Sequence, residues 1–176
     1  MTSHRTCGDC TLCCRLIPVE SMGKLANQKC KHQSHKGCTI YADRPTDCRV
    51  WSCGWLRGYD VGARPDRSHA IVDDQMPSSV AIVEDGKRTP FYALQVWCDP
   101  RHPDAHEDPT LRAWLAEECA KRRALVIVRY SSSEGFVLFP PWTSPDGKWT
   151  ARDSNVLPEG DPRVISDHRE LGIPVL

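Results

Sequence analysis

Ten cysteines occur in the chain, and eight of them fall between Cys7 and Cys53. Thiolate sulfur is the soft ligand that zinc and iron–sulfur clusters select, so a cluster this dense reads first as metal chemistry. Cys7-Gly8-Asp9-Cys10-Thr11-Leu12-Cys13-Cys14 sets four thiols within eight residues. That spacing lets neighbouring sulfurs turn onto one ion about 2.3 Å away. Cys30, Cys38, Cys48 and Cys53 supply four more from loops or short helical turns, with Pro45 placed to open such a turn ahead of Cys48. Eight thiols suffice for two four-sulfur sites, and all eight are candidate metal ligands.

Cys13 and Cys14 are adjacent, and one ion takes two neighbouring cysteines only with backbone strain. The pair therefore serves two sites, or one member is a free thiol. His32 and His35 lie between Cys30 and Cys38. They read as nitrogen ligands replacing a cysteine or, more plainly, as solvated loop histidines.

Zinc and iron make different demands. A closed tetrahedral zinc site has no redox chemistry and acts as a staple contributing roughly 10–16 kcal/mol of apparent folding energy. Iron–sulfur clusters also take four thiolates, and three cysteines at two-residue gaps come close to the bacterial ferredoxin opening. Here the fourth cysteine follows at once, and Arg15 stands where that motif has proline. Zinc is thus the preferred cofactor, with iron or an iron–sulfur cluster in a redox or electron-transfer role as the alternative. Only deprotonated thiols bind, so two zinc ions on eight thiolates would move the net charge from zero to about −4. Arg15, Lys29, Lys31, Lys36, Arg44 and Arg49 are placed to offset that charge around the sulfurs.

The Cys-x2-Cys-x2-Cys-Cys opening with Arg15, then Cys30, Gly37-Cys38-Thr39-Ile40-Tyr41, Arg44-Pro45, Cys48-Arg49 and Cys53, resembles the cysteine-cluster family of zinc- or iron-chelating proteins. The resemblance covers roughly the first third of the chain and implies metal chelation by these cysteines, leaving the metal open. It carries no reaction with it. Where members of that family often have Phe and Pro after the Cys-Arg pair, this chain has Val50-Trp51-Ser52-Cys53, which makes Cys48 the better-matched ligand.

The elements that must hold such a cluster are sparse. Residues 1–60 contain eight Leu, Ile, Val or Phe, below the roughly 20% at which a segment can fold unaided, so this lobe needs a staple. Further on, β-rich runs at 80–83, 91–97, 124–130 and 136–139 predict two antiparallel hairpins, turning at Asp85-Gly86 and at Ser131-Ser132-Ser133-Glu134-Gly135. Pro90 marks its strand as an edge. Between the hairpins Asp108 caps a helix with Pro109 at its first position. Leu111, Trp114, Leu115 and Cys119 share one face, and Lys121, Arg122 and Arg123 lie at its C-terminal dipole. From Pro140 the prolines recur at 141, 145, 158, 162 and 174, predicting an extended, docked tail. The expected class is α+β: a cysteine-rich, metal-stapled lobe (1–60) packed on a small antiparallel sheet with one main helix (61–140), and a proline-rich C-terminal extension (141–176).

Several function classes are disfavoured. Lys plus Arg and Asp plus Glu each total 23, so no basic field draws in nucleic acid. No run reaches the roughly 18 apolar residues of a membrane span, and the start lacks a secretory signal. A cytoplasmic protein with reduced thiols is expected, rather than a disulfide framework. No nucleophile elbow, phosphate loop or dinucleotide fingerprint is present, so a non-catalytic metal-binding protein, with a protein as possible partner, is the leading reading. Cys98 and Cys119 have strand and helix positions that favour packing, although Asp99 and His102 sit near the first. His102 and His106 flank Pro103 in what reads as an exposed connector, and the six tryptophans are explained by core packing.

Overall fold

Short elements in close succession build the N-terminal part of the chain. The structure, a computed structural model, describes residues 5–75, 79–84 and 87–151. A one-turn helix α1 (Cys13–Leu16) is followed by a two-residue hairpin, β1 (Gln33–Ser34) and β2 (Gly37–Cys38). Helices α2 (Thr46–Val50) and α3 (Pro65–Ser68) complete this part, with Pro45 at the N-cap of α2. Helices of four or five residues are far below the length that is stable alone. Tertiary contacts must hold them.

Those contacts come from a larger sheet. Its strands are β3 (Ala70–Asp73), β4 (Ser79–Glu84) and β5 (Lys87–Cys98), then, after helix α4 (Pro109–Arg122), β6 (Leu125–Arg129), β7 (Gly135–Phe139) and β8 (Thr150–Ala151). Their order is β3-β5-β6-β7-β8, with β4 paired to the first half of β5. The α+β class holds, but the purely antiparallel sheet does not, because β5 and β6 run parallel with Ala93 opposite Leu125 and Val96 opposite Val128. The physical reason is α4: a helical crossover returns the chain to the same end of the sheet, so the next strand enters parallel. The edge assignment for Pro90 also fails for the strand as a whole. β5 is central, and Pro90 lies in its first half, opposite Ala81, before the pairing with β6 begins. β3 escapes the sequence reading because only Ala70-Ile71-Val72 is apolar, too short a run to stand out. The Asp85-Gly86 turn and the tail beyond 151 lie outside the described residues. The described start of the tail contributes a short 3-10 helix (Pro141–Thr143) and β8, which pairs with β7.

The two faces of β5 divide the core. Leu94, Val96 and Cys98 join Val126, Val128 and the α4 residues Leu111, Leu115 and Cys119, all buried. Asp108 caps α4 as expected, its Oδ1 accepting from the amides of Thr110 and Leu111 at 2.9 Å. Trp114 stacks on Tyr59 with centroids 5.0 Å apart. On the opposite face Trp97 and Ile71 pack against Leu12, Leu16 and Ile17 of the cysteine-rich lobe. Each fully buried Leu or Ile contributes about 1.5–3 kcal/mol, so this small patch is what seats the lobe on the sheet. One connector residue corrects the sequence reading: His106 is buried, with Nδ1 at 2.9 Å from the Pro103 carbonyl oxygen and its ring edge-on to Phe136, because a 3-10 helix (Pro103–Glu107) turns it inward.

Candidate metal centre

The first two cysteines sit on a tight turn in which the Cys10 amide donates to the Cys7 carbonyl at 2.9 Å and Gly8 adopts φ +54°. Cys13 and Cys14 open α1. Cys30 is tied to that helix by its amide, which donates to the Cys14 carbonyl at 2.9 Å. Cys38 ends β2, Cys48 lies in α2, and Cys53 precedes Gly54, whose amide donates to Val72 of β3 at 2.9 Å. All ten cysteines are free thiols. The eight candidate ligands, each half-buried, line one cleft of about 510 Å³.

A second, much smaller cavity of about 20 Å³ is walled by Cys7, Cys10, Cys13 and Cys53 together with Trp55, Leu56, Arg64, Pro65 and Ile71. The thiols have not closed on one another. Among the described residues no three of them have sulfurs within 4.8 Å, whereas His69, Asp99 and His102 do bring ligand atoms that close.

The electrostatics of the thiols follow from their neighbours. The proximity of the Cys14 thiol raises Cys13 well above the usual thiol range, with burial adding to the effect. The same proximity lowers Cys14 to about 7, with help from the charges of Lys24 and Arg44. Burial, followed by the proximity of Cys7 and Cys10, pushes Cys53 up to about 11. Burial also raises Cys48, whose neighbours are Cys14, Cys30 and Cys38 along with Asp47. Cys14 is the thiol best prepared to meet a metal as thiolate.

Of the cations expected around the sulfurs, Arg44 lines the cleft and stacks on Tyr41 at 3.7 Å. Arg15 instead turns to the sheet, pairing with Asp99. Lys29, Lys31, Lys36 and Arg49 are exposed and do not line the cleft. One further cation lines the cleft. Lys24 is buried on the cleft wall, and its Nζ donates to the carbonyls of Arg15 at 3.1 Å, Leu25 at 3.2 Å and Ile17. Its only sequence signal is its place in the cysteine-rich segment. Arg64, beside the smaller cavity, is likewise a newcomer and is paired with Asp9 and Asp66 at 2.6 Å.

The histidines separate. His32 is half-buried on the cleft wall with its amide 3.5 Å from the Cys30 sulfur, while His35 is exposed and off the wall. Cys98 and Cys119 are buried in the α4 core, away from the cleft, as packing residues. His69 stacks on His102 with centroids 3.5 Å apart and planes 7° from parallel. Both oxygens of Asp99 in that group already accept from guanidiniums, those of Arg15 and Arg101. A cation there would meet two fixed positive charges. Buried indole donors remain beside the cysteines: the Nε1 atoms of Trp51 and Trp97 have no hydrogen-bond partner, and both residues pack in the same apolar group as Cys10, Cys13 and Cys53. An orphaned buried N–H costs about 1–3 kcal/mol, and sulfur carrying negative charge would accept from it.

No family model, curated protein or solved structure matches the chain.

Proposed function

We propose that this chain is a metal-binding protein whose cysteine cluster chelates zinc. The observation that carries the reading is the convergence of eight free thiols, from five separate segments, on one cleft. The lining fits the ion: soft sulfur ligands, an apolar wall, a buried ammonium from Lys24 and the unpartnered indole N–H of Trp51. Zinc held by four thiolates is redox-inert and serves as a fold-stabilising centre. Chelation by these thiols would supply the cross-links that this lobe, with few apolar residues, needs to hold its fold.

A second reading, an iron–sulfur protein with an electron-transfer role, is favoured by the size of the cleft, since about 510 Å³ has room for a sulfide-bridged cluster. Purification without oxygen, a visible spectrum, and assays of zinc, iron and acid-labile sulfide separate the two. Colourless protein loaded with zinc supports the first reading. Brown protein with sulfide matching iron replaces it with the second, and protein that takes up neither metal under reducing conditions overturns both.

A further inference from the structure

We infer that the eight cysteines divide into two four-sulfur sites, Cys7, Cys10, Cys13 and Cys53 around one ion and Cys14, Cys30, Cys38 and Cys48 around the other. The Cys13–Cys14 peptide joins them. This partition rests on the chelation reading above and goes beyond it, because adjacency separates Cys13 from Cys14 without saying which other thiols join each.

The first set is defined by a cavity. Cys7, Cys10, Cys13 and Cys53, which also line the main cleft, wall the separate space of about 20 Å³, and none of the other four thiols does. A space of that measure admits one water-sized occupant. Cys10, Cys13 and Cys53 also pack together against Leu12, Ile71 and Trp97, a group that excludes Cys14. Cys53 reaches it from 39 residues beyond Cys14 because the next residue, Gly54, is bonded to β3 at Val72, the neighbour of Ile71.

The second set is defined by backbone ties. The Cys30 amide on the Cys14 carbonyl at 2.9 Å fixes those two segments side by side, and the Gln33 amide on the Cys30 carbonyl at 3.0 Å leads directly into the hairpin that carries Cys38. Cys48 has Cys14, Cys30 and Cys38 as its sulfur neighbours. Lys24 stands beside Cys30, Cys14 and Cys48 of the second set and also beside Cys13, so its buried positive charge lies where the two sets meet.

Helix geometry explains how adjacent residues part company. At 3.6 residues per turn successive side chains diverge by about 100°, so Cys13 faces the sheet while Cys14 faces the Cys30 loop. The Cys13–Cys14 backbone then becomes the shared wall of two centres.

Cadmium-113 tests the partition on the full, reduced chain. Two bound cadmium ions are expected, each giving a resonance. Correlation to cysteine β-protons should join one to Cys7, Cys10, Cys13 and Cys53 and the other to Cys14, Cys30, Cys38 and Cys48. This arm needs no substitution. Native mass spectrometry with zinc supplies the second arm: Cys10→Ser/Cys53→Ser and Cys30→Ser/Cys48→Ser should each retain one ion, whereas Cys10→Ser/Cys48→Ser should retain none. A cadmium joined to both Cys13 and Cys14, or a same-set pair that empties both sites, overturns the partition while leaving chelation standing. A wild-type chain that binds neither cadmium nor zinc overturns chelation and the partition with it.

Discussion

A Cβ built on Gly37 would lie 2.9 Å from the carbonyl oxygen of Gly8, so the hairpin carrying Cys38 is pressed against the turn carrying Cys7 and Cys10. Gly37 also sits at φ +110°, a conformation nearly closed to residues with a side chain. Gly37→Ala should therefore lower stability by about 1–3 kcal/mol and reduce metal uptake. Gly23→Ala is the comparison, because Gly23 has φ +60° with open space around it and its substitution should cost about 1 kcal/mol with metal content unchanged. Chemical denaturation and zinc assay of both variants decide the point, and equal effects would show that the Gly8–Gly37 approach is unimportant.

Lys24 is a buried ammonium held by three carbonyls beside sulfur. Burial lowers its pKa in the free chain, and thiolates bound to metal would favour its charged form. Lys24→Met should weaken zinc binding about 10-fold, measured by competition with a chromophoric chelator. Unchanged affinity would reduce Lys24 to a structural clamp.

Asp99 couples the lobe to the sheet. Burial alone would raise its carboxyl, but hydrogen bonds from Arg101 and Arg15 prevail and hold it at about 2. A carboxyl depressed in the folded state adds stability above its unfolded pKa near 4, and that contribution is lost as pH falls toward 2. Asp99→Asn should destabilise by about 1–2 kcal/mol at pH 6, and the gap to wild type should close between pH 4 and pH 2. Denaturation curves across that range test it, and a gap independent of pH would contradict the ionic account.

Cys119 and Cys10 should behave oppositely. Cys119 is wholly buried among Leu111, Leu115 and Val126, so Cys119→Ser should cost about 1–3 kcal/mol for an unpartnered hydroxyl with metal content intact. Cys10→Ser should lose metal and speed amide exchange across residues 5–60. Equal metal loss in the two variants would refute the division between core and cluster cysteines.

The two proposed sites differ in their walls. Ile71, Pro65, Trp55 and Leu56 back the first, whereas the second is carried by the two-residue strand β2, the five-residue α2 and loops. Local opening is easiest where few apolar contacts resist it. A chelator should remove one ion per chain quickly and the other slowly, with the rapid phase absent from Cys30→Ser/Cys48→Ser. A single phase for both ions would contradict this asymmetry.

The sequence by itself determined the inventory of candidate thiols and the main helix. Thiol density is a local property, and so are the Asp108-Pro109 cap and the 3.6-residue spacing of Leu111, Leu115 and Cys119. Tertiary structure decided the rest. The parallel pairing of β5 with β6, the burial of His106 and the central position of the strand containing Pro90 depend on a crossover that no short window contains. Likewise Lys24 looks like any other lysine until three carbonyls close around it. Cys53 stands apart from Cys7, Cys10 and Cys13 until β3 carries it back to them. Residue type sets which atoms can bind a metal, but which of them meet is set by long-range packing and chain reversal.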